Sequence, residues 1–193
     1  MHNALAHFTR WYDDARAHPG VEDVTAMTLA TATRDGRPSA RIVLLKEYGE
    51  NGFVFYTNLN SRKGQELAEN PHAALCFYWI PLARQVRVEG SIAAVSEAEA
   101  DAYFASRPRA RQLGAWASLQ SSPLASRAEL ENRLAEMEKK FAGGEVPRPS
   151  HWSGWRLTPE SIEFWQNDNA RLHEREIYRR TPSGQWQHGL MFP

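Results

Sequence analysis

The sequence predicts a mainly β domain, a barrel of short strands with helices packed on its outside. Two observations predict it. Short apolar runs recur along the chain between turn residues, and three or four intervening segments carry helical periodicity with capping residues. Size agrees: 193 residues, 42% hydrophobic and 24% charged, suffice for one core. No linker, repeat or low-complexity tract divides the chain, so a single domain over 1–193 is expected.

Residues 2–18 place Leu5, Phe8, Tyr12 and Ala15 on one helical face. Strand-like runs at 25–33 and 39–46 flank Arg34-Asp35-Gly36-Arg37, whose Asp-Gly pair signals a hairpin. A third run, 52–58, follows a turn at 48–52. Asn60 or Ser61 can cap a helix that runs to Asn70 and stops at Pro71. Residues 72–80 are almost continuously apolar, as in a strand covered on both faces. Residues 84–95 alternate instead, with Val86, Val88 and Ile92 opposite Gln85, Arg87 and Glu89. Ser96 with Glu99 forms a capping box for a helix ending before Pro108. Ser126 with Glu129 opens another, to about Phe141, closed by Gly143-Gly144. Strand patterns return at 152–157, 161–166, 171–180 and 185–191.

Composition narrows the function. Lys+Arg and Asp+Glu each number 23, so no global charge draws the chain to nucleic acid or membrane, and any anion site must be local. Cys76 is the single cysteine, which excludes an internal disulfide and a Cys-rich metal site; its apolar neighbours suit a buried, inert thiol. His2 and His7 are terminal, and His72, His151, His173 and His188 lack paired ligand spacing, so no metal is expected. There is no dinucleotide or Walker loop and no nucleophile elbow. The N-terminus lacks a signal peptide's basic start and apolar core, and no apolar stretch is long enough for a bilayer; a soluble cytoplasmic protein is the expectation.

Four clusters carry the local charge, and each has a plain reading beside the functional one. Arg41-Ile42-Val43-Leu44-Leu45-Lys46 is an apolar strand with a cation at each end, either a core strand with snorkelling ends or a grip on a planar anion. Arg62 and Lys63 follow Ser61 at a helix N-terminus, where the dipole disfavours cations but favours phosphate; solvated surface charge is the alternative. Tyr103, Arg107, Arg109 and Arg111 make either a phosphate grip or a basic surface turn. Arg171, His173 and Arg175 alternate, so on a strand they share a face, beside Trp165 and Gln166; an exposed edge strand reads equally well.

Taken in order, these segments resemble the pyridoxine/pyridoxamine 5′-phosphate oxidase family over nearly the whole chain. The matching stretches are RIVLLK at 41–46, GFVFYTN at 52–58, Ser61-Arg62-Lys63, Arg84-Gln85-Val86, YFASRP at 103–108, Gly114-Ala115-Trp116, Gln120-Ser121-Ser122, IEFWQ at 162–166 and RLHER at 171–175. The resemblance implies an FMN-binding split β-barrel of Greek-key type, working as a homodimer with sites shared across the two-fold. It implies FMN contacts from Arg41, Ile42, Val43, Leu44, Leu45, Lys46, Tyr56, Thr57, Arg62, Lys63, Gln85, Gln120, Ser121, Trp165 and Arg175. By the same likeness Lys46, Tyr103 and Arg107 would grip the substrate phosphate, Arg171 and His173 would lie at the reacting carbon, and Asp23 matches an acid near that pocket. The implied reaction oxidises pyridoxamine or pyridoxine 5′-phosphate to pyridoxal 5′-phosphate, with dioxygen as acceptor and hydrogen peroxide released. Arg111 stands where the family usually has a serine, which adds a cation to the phosphate cradle or crowds it. The sequence also starts without the basic N-terminal extension that covers the site in some relatives. A split-barrel flavin oxidase of another substrate, as in phenazine pathways, and a non-catalytic flavin- or haem-binding split barrel remain alternatives.

Overall fold

The computed structural model describes residues 3–168 and 170–193. The helix expected from residue 2 is therefore seen from Asn3, whose side chain caps α1 (Ala4–Ala17) by accepting from the amides of Leu5 and Ala6. After it come β1 (Ala26–Ala32), β2 (Pro38–Leu44), β3 (Glu47–Gly49), β4 (Gly52–Asn58), α2 (Arg62–Glu69), β5 (His72–Trp79), a 3-10 turn (Ile80–Leu82) and β6 (Arg84–Ala94). Then follow α3 (Glu97–Ser106), α4 (Arg109–Ala117), α5 (Arg127–Lys140), β7 (Trp152–Gln166), β8 (Glu174–Arg180) and β9 (Trp186–Leu190).

All strand pairings are antiparallel, in one sheet ordered β2-β1-β5-β6-β7-β4-β3, with β8 on β7 and β9 on β8. The sheet curls so that the Lys46 amide, just past β2, donates to Val54 O on β4 at 2.8 Å. The mainly β architecture with outer helices is as the sequence predicts. β7 is the spine: its first half pairs with β4, its second half with β8, and β6 runs along both.

Inside the curl, Phe53, Phe55, Phe77, Trp79, Phe164 and Leu157 bury against Phe8, Trp11 and Tyr12 of α1, so α1 plugs one side of the core. Fully burying such side chains contributes about 1.5–3 kcal/mol each. A smaller cluster, Phe104, Leu113, Val146 and Trp152, fixes α3–α5 against the other side. The helices there depend on their caps: Ser96 and Glu99 exchange the two bonds of the capping box.

Several sequence expectations give way. Among the described residues five α-helices form rather than three or four. The unforeseen one, α4, begins directly after Pro108, whose fixed φ suits a helix entry as well as it suits the end of α3. The runs 152–157 and 161–166 are one strand, because Pro159 falls opposite a register shift after Glu89, where its missing N–H costs no ladder bond. Gly90 makes that shift possible: a Cβ there would meet Thr158 O at 2.0 Å. The expected 48–52 turn overlaps the short strand β3, which pairs with β4. Within the chain β5 is covered on one face only, with Tyr78 54% exposed, so its apolar run does not mark a strand buried on both faces. Finally, β8 starts at Glu174; Arg171 lies in a turn at φ +60°, so Arg171 and His173 do not share a strand face with Arg175.

Candidate functional site

A cleft of about 530 Å³ opens where the end of β2, the end of β4, the start of α2 and the α3–α4 corner meet. Its size suits an organic ligand. β2 supplies Ile42, Val43 and Leu44, with Lys46 just beyond, and β4 supplies Tyr56, Thr57 and Asn58. Lys63 comes from the first turn of α2, which lies close on the chain before it because residue 64 is glycine: a Cβ there would meet Leu59 O at 2.2 Å. The helical side contributes Tyr103, Arg107, Arg111, Gly114, Ala115, Ser118 and Gln120, and Trp152 opens β7. Four cations line this cleft and no carboxylate does, among the described residues.

Its aromatic wall is a stack. Tyr56 lies parallel to Tyr103 at 4.0 Å between centroids and to Trp152 at 5.3 Å. Burial pushes the pKa values of both phenols up, so both rings stay neutral. The Arg107 guanidinium caps the stack, 4.6 Å from the Trp152 centroid and 5.6 Å from that of Phe104. Its Nη1 is buried and finds no hydrogen-bond partner among the described residues. A desolvated guanidinium nitrogen without an acceptor costs free energy that an incoming oxyanion recovers. Burial also lowers the Arg107 pKa, as does Arg111, while Tyr103 raises it.

Lys46 belongs to the same corner. Burial lowers its pKa; Asp23 opposes that, and Arg111 and Arg107 reinforce it. Asp23 does not line the cleft, and its Oδ1 caps the turn into β1 by accepting from the Thr25 amide and hydroxyl. Arg111 is an exposed rim residue. Across the cleft, Lys63 Nζ donates to Thr57 Oγ1 at 3.1 Å, Ser61 Oγ at 3.1 Å and Gln120 Oε1 at 3.2 Å, all neutral acceptors. Burial and the nearby Arg41 lower its pKa. A buried ammonium with no carboxylate in contact among the described residues is a second anion seat.

The other expected site residues lie elsewhere in the subunit. Arg41 turns its guanidinium onto Leu29 O, Thr31, Ser39 and Glu66. Leu45 is core, and Arg62 pairs with Glu66. Ser121, at φ +73°, lines an adjoining hollow before α5 that shares Ser118 and Gln120 with the cleft. Gln85, Trp165 and Arg175 form a second patch: Gln85 pairs with Trp165, Trp165 with Arg175, and the Trp165 ring sits 4.8 Å from that of His173. Arg175 is braced by Glu163 and by Phe192 O, and His173 Nδ1 accepts from the Asp168 amide. Sequence reasoning missed Asn58, Gly114, Ala115, Ser118 and Trp152 as cleft residues; Asn58, Gly114 and Ala115 fall in the matching stretches 52–58 and 114–116, the one signal that could have found them. Among the described residues no group of three or more His, Cys, Asp and Glu could hold a metal, and no helix is long and apolar enough to cross a membrane.

Comparison with known proteins places this geometry. The family model for pyridoxamine 5′-phosphate oxidase matches residues 14–141, and that for the pyridoxine 5′-phosphate oxidase C-terminal dimerisation region matches 152–193. The chain belongs to the pyridoxamine 5′-phosphate oxidase family. A protein of Sphingopyxis alaskensis named pyridoxine/pyridoxamine 5′-phosphate oxidase is 61% identical over 98% of this chain and 87% of its own length. One of the same name from Rhodospirillum rubrum is 56% identical over 96% and 94%. Among solved structures, PhzG from Burkholderia lata, determined with tetrahydrophenazine-1-carboxylic acid, superimposes with a TM-score of 0.87 at 33% identity, covering 98% of this chain and 90% of that one. A pyridoxamine 5′-phosphate oxidase-related protein from Nostoc punctiforme shares the fold with a TM-score of 0.78 at 16% identity. Both the cleft and the second patch lie in segments matched by the family models, the cleft mainly in the first and the patch mainly in the second.

Proposed function

We propose that this chain is an FMN-dependent oxidase that converts pyridoxamine or pyridoxine 5′-phosphate to pyridoxal 5′-phosphate, acting as a homodimer with shared sites. The observation that carries the reading is Arg107: a buried guanidinium nitrogen that, among the described residues, has no partner and shares its cleft with three other cations and no carboxylate, on a chain 61% identical to a relative of that name. The residues fit a flavin phosphate as well as a substrate phosphate, because the cations fall into two seats. Lys63, with Thr57 and Gln120, would hold the cofactor's phosphate end, while Ile42, Val43 and Leu44 offer backbone to its ring. When bound, the flavin supplies the hydride acceptor and passes the electrons to dioxygen, released as hydrogen peroxide.

The protein's own part is grip and orientation. Lys46, Tyr103, Arg107 and Arg111 hold the substrate phosphate, whose charge their clustered cations match. Tyr56, Tyr103 and Trp152 exclude water from one wall. Arg171 and His173 would orient the pyridine ring at the reacting carbon. His173 lies against Trp165 of the second patch and Arg171 comes two residues before it in the turn into β8, so the patch of one subunit would complete the cleft of its partner. The dimerisation region that contains most of that patch supports this arrangement.

The test is direct. The purified protein should show a flavin absorption spectrum and release peroxide with either phosphorylated substrate but not with unphosphorylated pyridoxine. A yellow protein inert toward both phosphates would reject the substrate and leave a flavin oxidase of another compound or a non-catalytic carrier.

A further inference from the structure

Glu66, on α2, is a carboxylate only 4% exposed, and among the described residues the side-chain groups that bond it are hydroxyls and guanidiniums. Its Oε2 accepts from Thr31 Oγ1, from Ser39 Oγ at 2.5 Å and from Arg41 Nη2 at 3.4 Å; its Oε1 accepts from Arg62 Nε at 2.8 Å. Burial alone would raise its pKa, but hydrogen bonds from Ser39, Thr31 and Arg62 prevail and hold it at about 2. A buried ion network is weak evidence for stability, since apolar packing often serves a fold as well. What sets this one apart is its address. Arg41 directly precedes the cleft residue Ile42, and Arg62 directly precedes Lys63. Arg41 is also near enough to Lys63 to lower its pKa.

We propose that Glu66 is a positioning residue of the cofactor-phosphate seat, fixing Arg41 and Arg62 on its two oxygens beside Lys63. The proposal rests on the flavin reading above. Each oxygen takes a different arginine, so one side chain sets both guanidiniums before the anion arrives. Arg62 spends only Nε on the carboxylate and keeps both terminal nitrogens unbonded among the described residues. Three cations against one carboxylate leave a surplus suited to a phosphate, which carries about −1.5 to −2 at neutral pH. Thr31 and Ser39, from β1 and β2, tie the arrangement to the sheet.

The test compares FMN with riboflavin, which lacks the phosphate. Flavin-stripped wild type and Glu66→Gln are titrated with each while flavin fluorescence is followed, and the thermal midpoint reports folding. FMN affinity should fall about tenfold, the worth of one charge-assisted hydrogen bond. Riboflavin affinity should stay within about twofold, as for a site independent of the change. An equal loss for both flavins would make Glu66 a structural staple between α2 and the sheet and overturn the proposal. Tighter FMN binding would overturn it too, since Glu66 would then only neutralise charge. If Glu66→Gln does not fold, Ser39→Ala decides, because it removes a neutral anchor and leaves every charge; an FMN-selective loss supports the proposal and any other outcome overturns it. A wild type that binds neither flavin defeats the flavin reading itself, which the wild-type titration alone reveals.

Discussion

Replacing Arg107 by alanine separates ligand binding from folding more sharply than any other change in the cleft. The side chain has no carboxylate partner among the described residues, so its loss breaks no ion pair. What the fold loses is the guanidinium's contact with Trp152 and Phe104, worth about 0.5–2 kcal/mol, offset by relief of a desolvated and unpartnered nitrogen. The net change in stability should stay near 1 kcal/mol. What the complex loses is at least one charge-assisted hydrogen bond to phosphate, worth about 1.5–3 kcal/mol, or roughly tenfold to 150-fold in affinity. Steady-state peroxide release should therefore show KM for pyridoxamine 5′-phosphate rising by that factor while kcat changes little, with the unfolding midpoint almost unmoved. Arg107→Lys should recover part of the loss, since it restores charge without the planar fork. An unchanged KM, or a kcat loss with KM constant, would refute the assignment of the unpartnered nitrogen to the substrate.

Three further outcomes are expected. Arg111→Ser should raise KM only about threefold, as befits an exposed cation, and should flatten the salt dependence of kcat/KM; an unaltered salt profile would mean the side chain points away from the ligand. His7 is buried, stacked on Phe164 at 3.8 Å, and held by that burial at about 4 against an ordinary 6.5. The unfolded chain thus takes up this proton first, and about 3 kcal/mol present above pH 6.5 is lost as pH falls toward 4. Denaturant titrations of His7→Phe should lack this component, and parallel pH curves for the two proteins would count against it. Gly90→Ala should cost about 3 kcal/mol or more through its clash with Thr158 O, read as a lowered unfolding midpoint; a neutral effect would show that the register shift relaxes freely.

Much of the fold was legible because its signals are local. Ser61 and Ser96 cap the helices they were expected to cap, and the alternation of Val86, Val88 and Ile92 marks the buried face of β6. The misreadings come from residues whose meaning depends on a distant partner. Pro108 reads as a stop until α4 packs against α5, and Pro159 reads as a break until Gly90 lies opposite it. Alternation at Arg171, His173 and Arg175 suggested a strand face, yet nothing local disclosed the left-handed turn at Arg171. In the site, the cations stood out because they sit against helix dipoles or within apolar runs. The ring stack did not, since Tyr56, Tyr103 and Trp152 come from three elements far apart in the chain.

The length of β7 has a consequence for genetics as well as for shape. One strand begins at Trp152, in the cleft, and ends beside Trp165, in the second patch; thirteen steps of about 3.3 Å make roughly 43 Å of contour between them. If each subunit lends its patch to the other's cleft, the two lesions Arg107→Ala and Arg175→Ala reside in complementary halves of a site. Two impaired polypeptides, one bearing each lesion, would then reconstitute one intact centre per mixed pair, the other carrying both defects. Co-expression should return a fraction of centres with near wild-type KM, which neither parent shows.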